Sequence, residues 1–279
     1  MAGQRQISQA LPAVVSSLQD VDSGIRGAAV QTISIIGQDQ QAADLVKMLQ
    51  KTKDSDERAE IRKALLAISG RCGDKCIPHL KPLTQSPDSE LHIIGLRALA
   101  IIGGPDALAA VKSAIESAEP QAQDEAVRIL SNWPSNWPED SEAGQALLML
   151  ATSAEKMPHQ VLDLRGYLQY IRGNKELSNE QKVAKVKDVQ SHIKRPEEQR
   201  QAIAVLAEAP SVSALELLTT LAGDQAVAEE AYSAMVQIAG QDIHGVSKDQ
   251  RRQALQTVAE KSRNNSTKQR AQKTLSGLP

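Results

Sequence analysis

The feature that most constrains this chain is the regular return of helix-ending residues. Apolar helical stretches end at Gly37 (SIIG), Gly70 (AISG), Gly103 (IIGG), Pro134 (SNWP), Gly173 (YIRG), Pro210 (AEAP), Gly240 (QIAG) and Pro279 (SGLP). From 37 to 70 and from 70 to 103 the step is 33 residues each time. A glycine closes a helix by taking the left-handed conformation and a proline cannot continue one, so each position predicts a stop. Self-similarity at this period marks stacked modules, each too small to bury its own apolar face. The stops divide the chain into predicted repeats 1–37, 38–70, 71–103, 104–134, 135–173, 174–210, 211–240 and 241–279. Each holds a first (A) helix such as ISQALPAVVSSLQ and a second (B) helix such as SGIRGAAVQTISIIG.

The B helices align by their apolar residues. Ile25, Ala29, Ile33 and Ile36 fall in register with Ile61, Leu65 and Ile68, with Leu91, Leu99 and Ile102, and with Ala126, Leu130 and Trp133. Steps of three and four residues define one helical face. An acid precedes each B helix, at Asp22, Asp54, Asp88 and Glu119, and four residues later stand Arg26, Arg58, His92 and Gln123. A carboxylate there accepts the free N–H groups of the helix start and lies within reach of a base one turn on. The pairs therefore read as capping pairs repeated with the fold, or as an ion ladder open to a ligand. Composition agrees with thin seams between helices: among 279 residues there is no Phe, with two Trp and three Tyr, and the apolar content is Ala, Leu, Ile and Val. Runs that alternate every two residues are absent, and the predicted class is all-α.

The segment ALPAVVSSLQDVDSGIRGAAVQTISIIG resembles a bacterial HEAT repeat of the type also called PBS-lyase HEAT-like. IPHLKPLTQSPDSELHIIGLRALAIIGG repeats the pattern, with His92 where that family has Arg. The resemblance is closest over residues 11–103, continues to 240 and fades beyond. The TPLH turn of ankyrin and the Trp/Gly/Tyr pattern of TPR, which have similar periods, are missing. The resemblance implies a right-handed α-α superhelix, a HEAT-like solenoid of about eight helix pairs. The stretch from SNWP through AVAEEAYSAMVQIAG is also similar to HEAT modules attached to large exported bacterial enzymes and haem proteins. Because the chain starts on a repeat and ends on one without a clear polar cap, it is expected to be one segment of a larger protein. No low-complexity linker divides it, and the loop around Pro134 to Ser141 is the expected discontinuity.

A net charge of -2 and a pI near 6.2 supply no field that would draw the molecule to nucleic acid or an anionic membrane. No window reaches the ~18 apolar residues of a membrane span. The first twenty residues read as the first helix and not as an export signal, so compartment stays open between cytoplasm and, for a trimmed precursor, an exported location. Cys72 and Cys76 in RCGDKC lack the partners of a zinc site, leaving two free thiols or a short disulfide across the Gly73 turn, with redox or metal chemistry the remaining alternative.

Enzymes exist on this scaffold, so each route was sought in the residues. Deoxyhypusine hydroxylases carry His-Glu pairs that hold iron, but His79, His92, His159, His192 and His244 are each followed by another residue. HEAT-like DNA glycosylases need a basic groove with aromatics, which are sparse here. Phycobilin lyases share the repeat, yet nothing marks a bilin pocket, and repeat similarity transfers no activity. No Ser/His/Asp or Cys/His grouping, HExxH or phosphate loop is present. The expectation is no enzyme, cofactor or metal, with a bilin lyase or other HEAT enzyme as the alternative and a nucleic-acid binder behind it.

In a two-layer solenoid the B helices line the concave side. Two residues on from Ala29 the column facing away from the core reads Gln31, Lys63, Arg97 and Arg128, continuing to Gly166, Ala204, Ser233 and Lys273. Three consecutive bases there form a candidate concave strip for an acidic peptide or protein, or else an ordinary solvated face. Trp137, in the proline-bounded loop of SNWPSNWP, is a candidate exposed aromatic, while Trp133 falls on the core face. Eight bases stand against Asp249 and Glu260 in the C-terminal stretch: Lys248, Arg251, Arg252, Lys261, Arg263, Lys268, Arg270 and Lys273. They read as a solvated basic face or a contact for phosphate or an acidic neighbour.

Overall fold

A computed structural model describes residues 8–117, 119–243 and 245–278. Two ends of the expected pattern, Met1 to Ile7 and Pro279, and one histidine, His244, lie outside these residues. Contacts divide the chain into two compact units, residues 1–130 and 131–279, each considered separately below. The division falls just before the Pro134–Ser141 loop.

The described residues of the first unit form helix and little else. The A helices are α1 (Leu11–Ser16), α3 (Asp39–Lys51), α5 (Ile77–Thr84) and α7 (Gly104–Ile115); the B helices are α2 (Ser23–Ile36), α4 (Ser55–Cys72), α6 (Ser89–Ile102) and α8 (Pro120–Asn132), whose last two residues fall in the second unit. Each A helix from α1 to α5 packs against its B partner, and α2, α4 and α6 pack in sequence beside one another. The second unit repeats the plan with A helices α9 (Ser141–Ser153), α11 (Asn179–Asp188), α13 (Val212–Leu221) and α15 (Lys248–Lys261). Its B helices are α10 (Met157–Gly173), α12 (Pro196–Ala207), α14 (Ala228–Ala239) and α16 (Asn265–Ser276). They too stack in order, α10 on α12, α12 on α14 and α14 on α16.

The recurring acids do what helix starts require. Asp22, Asp54 and Asp88 each accept two backbone N–H groups of the following turn, and Glu119 does the same for Gln121 and Ala122. Each such cap stabilises its helix by about 0.5–2 kcal/mol. Helix ends are less uniform than the sequence implies. α4 runs through Gly70 to Cys72 and is closed by Gly73 at φ 59. Gly103, at φ 75, does use the left-handed region. Gly37 sits at φ -64 and is glycine for space, since a Cβ there meets Ile33 O at 2.5 Å.

Counted from its cap, each B helix buries its seventh residue, and each but α16, where Leu275 is half-buried, buries its eleventh. Ala29, Ile61, Gly95 and Ala126 occupy the first column of the first unit, and Ile33, Leu65, Leu99 and Leu130 the second. Within the second unit the same count gives Asp163 and Ala202, then Tyr167 and Leu206. Small residues bring the helices close: a Cβ on Gly166 meets Ser131 O at 2.6 Å, and one on Gly144 meets the Tyr170 ring at 2.4 Å. α16 buries Thr267 and Ala271 and exposes Gln269, Arg270, Gln272 and Lys273, a polar outer face that includes Arg270 and Lys273 of the C-terminal basic stretch.

Candidate partner-binding face

In the first unit the ninth residue after each B-helix cap points away from the seam. These residues are Gln31, Lys63 and Arg128, all exposed, and Arg97, half-buried. The four residues expected to share a column therefore do share one. Four residues further along the same face stand Ile35, Ala67 and Ile101, also exposed, with Ile35 40% and Ile101 38% accessible. This apolar row beside the basic one was missed in the sequence, although the same register gives it.

The bases are not bare. Lys63 Nζ donates to Glu60 Oε1 at 2.6 Å. Arg97 Nε donates to Glu125 Oε1 at 2.7 Å, and Arg128 Nη1 to Glu125 Oε2 at 3.0 Å. Glu125 is only 7% exposed, so two guanidinium groups share one buried carboxylate. Its hydrogen bond raises the Arg97 pKa further above the ordinary range. These carboxylates offset part of the charge, giving a milder field than three free bases.

In the second unit the register corrects two assignments. Gly166 is buried at the helix crossing just described, and the ninth residue of α10 is Arg165, half-buried, whose Nε donates to Glu198 Oε1 at 2.7 Å. Ser233 is half-buried and only sixth after the α14 cap, whose ninth residue, Val236, is buried; Ala204 is half-buried and Lys273 is exposed.

The fourth residue after the cap carries a second pattern, again different from expectation. Arg26 and Arg58 do not fold back onto Asp22 and Asp54, whose carboxylates are engaged in capping. Arg26 Nε reaches forward to Glu57 Oε1 at 2.6 Å while its Nη1 donates to Asp20 O at 2.9 Å. Arg58 Nε donates to Thr52 O at 3.0 Å and its guanidinium pairs with Glu90 and Asp88 of the next helix pair. In the second unit Gln199 Nε2 donates to Asp224 Oδ2 at 3.0 Å. These are rungs between successive pairs, not caps within one.

Comparison with known proteins agrees with this geometry. A family model described as HEAT repeats matches residues 1–66. A search of curated proteins returned no match. Among solved structures, a mutant of the karyopherin Kap121p is 13% identical with a TM-score of 0.55, over 97% of this chain and 33% of that one. Kap121p bound to the extreme C-terminus of the protein phosphatase Cdc14p is 14% identical, with the same score and coverage. Human deoxyhypusine hydroxylase in complex with glycerol scores 0.42 at 15% identity, over 99% of this chain and 98% of that one. The chain spans about a third of the karyopherin chains it matches. The fold is the HEAT-repeat α-solenoid.

Between HEAT pairs of the first unit the A helices leave several clefts. One, of about 460 Å³, lies between α1 and α3 with Arg26 and Glu57 among its lining residues. Another, of about 740 Å³, lies between α5 and α7 and is lined by His92, Leu99 and Asp106 among others. A third, of about 540 Å³, also lies between α1 and the start of α3. Cys72 and Cys76 are both free thiols, so the disulfide alternative is not realised; Cys76 is buried, and burial pushes its pKa up to about 12. Trp133 is buried and donates Nε1–H to Asp140 Oδ2 at 2.9 Å, while Trp137 is half-buried under its loop. Asp163 is wholly buried with neither oxygen hydrogen-bonded, and burial raises its pKa to about 7. Among the described residues no three His, Cys, Asp or Glu side chains gather as a metal site, and no helix is long and apolar enough to cross a membrane.

Proposed function

We propose that this HEAT-repeat chain is a non-catalytic protein-interaction scaffold and that the exposed B-helix face of the first unit receives an extended, acidic and partly apolar peptide. The observation that carries this reading is the pair of parallel rows on that face. Lys63, Arg97 and Arg128 form one, and Ile35, Ala67 and Ile101 the other. Packed helices lie about 8–10 Å apart and an extended chain rises about 3.3 Å per residue. A peptide crossing the B helices therefore passes one helix about every three residues, and its recognition sequence repeats an acid or an apolar side chain at that interval. Main-chain atoms of such a peptide need no specific partner, because the rows supply charge on one side and apolar surface on the other. The karyopherin bound to the extreme C-terminus of Cdc14p supports the idea, since there too a helical-repeat protein holds the end of another chain.

The net charge of the face favours an acidic partner modestly. Individual exposed ion pairs contribute about 0.2–1 kcal/mol, so affinity rests on several acting together with burial of the isoleucines. Selection from a random peptide display library tests the reading. Selected peptides are expected to carry Asp or Glu and an aliphatic residue at a spacing of about three, and to lose affinity with Lys63→Ala and Ile101→Asp. Peptides without that pattern, or indifferent to both substitutions, refute it. Arg97 is unsuited to the test, because removing it leaves the buried Glu125 with one guanidinium fewer.

A further inference from the structure

Of the fourth residues after the caps, Arg26, Arg58 and Gln199 close a rung to the next pair by hydrogen bonds and Gln123 donates to Ile115 O within its own pair, whereas the His92 side chain does neither. Among the described residues the His92 side chain makes no hydrogen bond; its one electrostatic neighbour is Glu119, which heads the next B helix. The acceptors that an arginine uses at the other rungs are nonetheless present. Asp20 O and Thr52 O, each two residues before a cap, receive the guanidinium groups of Arg26 and Arg58, and among the described residues the equivalent carbonyl of Ser86 receives no hydrogen bond. Glu119 takes the place of Asp88, the next cap that Arg58 contacts. Two backbone N–H groups and the Ser89 side chain donate to it, which uses three of the roughly four acceptor sites of a carboxylate.

Space is missing a tenant as well. The cleft lined by His92 measures about 740 Å³, and its lining includes Gln85, next in sequence to Ser86, and Ser117, two residues before Glu119. Burial holds His92 below its ordinary pKa, so the ring is neutral at pH 7, and the Ala122 N–H keeps Glu119 ionised. Asp106 adds a second carboxylate, and the one lysine of the lining, Lys81, is exposed.

We propose that the cleft between α5 and α7 receives the guanidinium of an arginine side chain carried by a protein partner, which completes the rung that His92 leaves open. A planar guanidinium is the matching group because its forked donors serve a carbonyl and a carboxylate together, as Arg26 and Arg58 do, where a lysine ammonium is a single point of charge. The site is separate from the B-helix face and does not depend on it.

The test follows the His92 ring signals by NMR while the full chain is titrated with acetyl-Gly-Arg-Gly-amide, with the lysine counterpart and with agmatine. The arginine peptide is expected to shift His92 with a dissociation constant on the order of millimolar, and the lysine peptide to bind at least ~10-fold more weakly. His92→Arg is expected to abolish binding, followed on Asp106, and to raise the melting temperature by filling the rung from within. His92→Ala keeps the cleft open and is expected to retain binding. No response to the arginine peptide, or equal binding by His92→Arg, overturns the proposal. Agmatine binding as tightly as the peptide overturns the assignment to a protein partner in favour of a free guanidine.

Discussion

Replacing Asp163 by Asn is expected to remove a pH dependence from the stability of the second unit. The carboxyl occupies a seam column otherwise filled by alanine, isoleucine or glycine, and it has no hydrogen bond and no exposure. Burial raises its pKa from 3.8 to about 7, so the fold holds the proton while the unfolded chain releases it. Between those values the unfolded state binds fewer protons, and stability therefore falls as pH rises. The stability present below pH 3.8 is lost progressively until pH passes 7. At 1.36 kcal/mol per unit the full shift corresponds to about 4 kcal/mol, of which about 3 kcal/mol lies between pH 5 and 8. For a unit of this size that is roughly 10 °C in melting temperature. Glu208, Asp224, Glu229 and Glu230 have depressed pKa values, so their contribution has the opposite sign and is lost only at more acid pH, outside this window. Trp133 and Trp137 are the only tryptophans and both lie in the second unit, so urea unfolding followed by tryptophan fluorescence reports on it alone. His92, whose lowered pKa gives a slope of opposite sign near pH 6, belongs to the first unit. The difference between wild type and Asp163→Asn is expected to widen by about 3 kcal/mol from pH 5 to pH 8. Parallel curves refute the reasoning.

Three further outcomes follow from packing and capping. Gly166→Ala sets a methyl against the Ser131 backbone, which cannot swing aside, and is expected to cost about 1–3 kcal/mol in the same fluorescence assay. Asp54→Ala removes the acceptor of two N–H groups at the start of α4 and is expected to cost about 0.5–2 kcal/mol by far-UV circular dichroism of the whole chain. Alkylation of the native chain at pH 8 is expected to label Cys72 well before Cys76, because Cys76 is buried with its pKa near 12; mass mapping that finds both labelled at equal rate contradicts this.

The caps and the seam were legible because both depend on residues close in sequence. Asp22, Asp54 and Asp88 precede their helices by one position, and Ile33, Leu65 and Leu99 follow at a fixed count. The exposed column of the first unit was found by the same counting. Longer repeats defeated it: α10 begins at Met157, and counting from Lys156 gives Arg165, one residue from the glycine that sequence alignment selects. The same count places Asp163 in the seam, a signal that its apolar neighbours Leu162 and Leu164 conceal. The partners of Arg26 and Arg58 were not legible, since a base four residues after an acid reaches its own turn or the neighbouring helix with equal ease, and only the stacking decides. The cleft beside His92 likewise depends on how far α5 and α7 stand apart, although the departure of His92 from the arginine of its neighbours marked the position.

The central claim, that partners lie along the exposed B-helix face of the first unit, is tested most directly by a photo-crosslinking amino acid placed at Ala67, in the apolar row, and in a second protein at Lys112, exposed on the A helix α7. A peptide selected by the chain is expected to crosslink from position 67 and not from 112. Crosslinking from 112 alone contradicts the account.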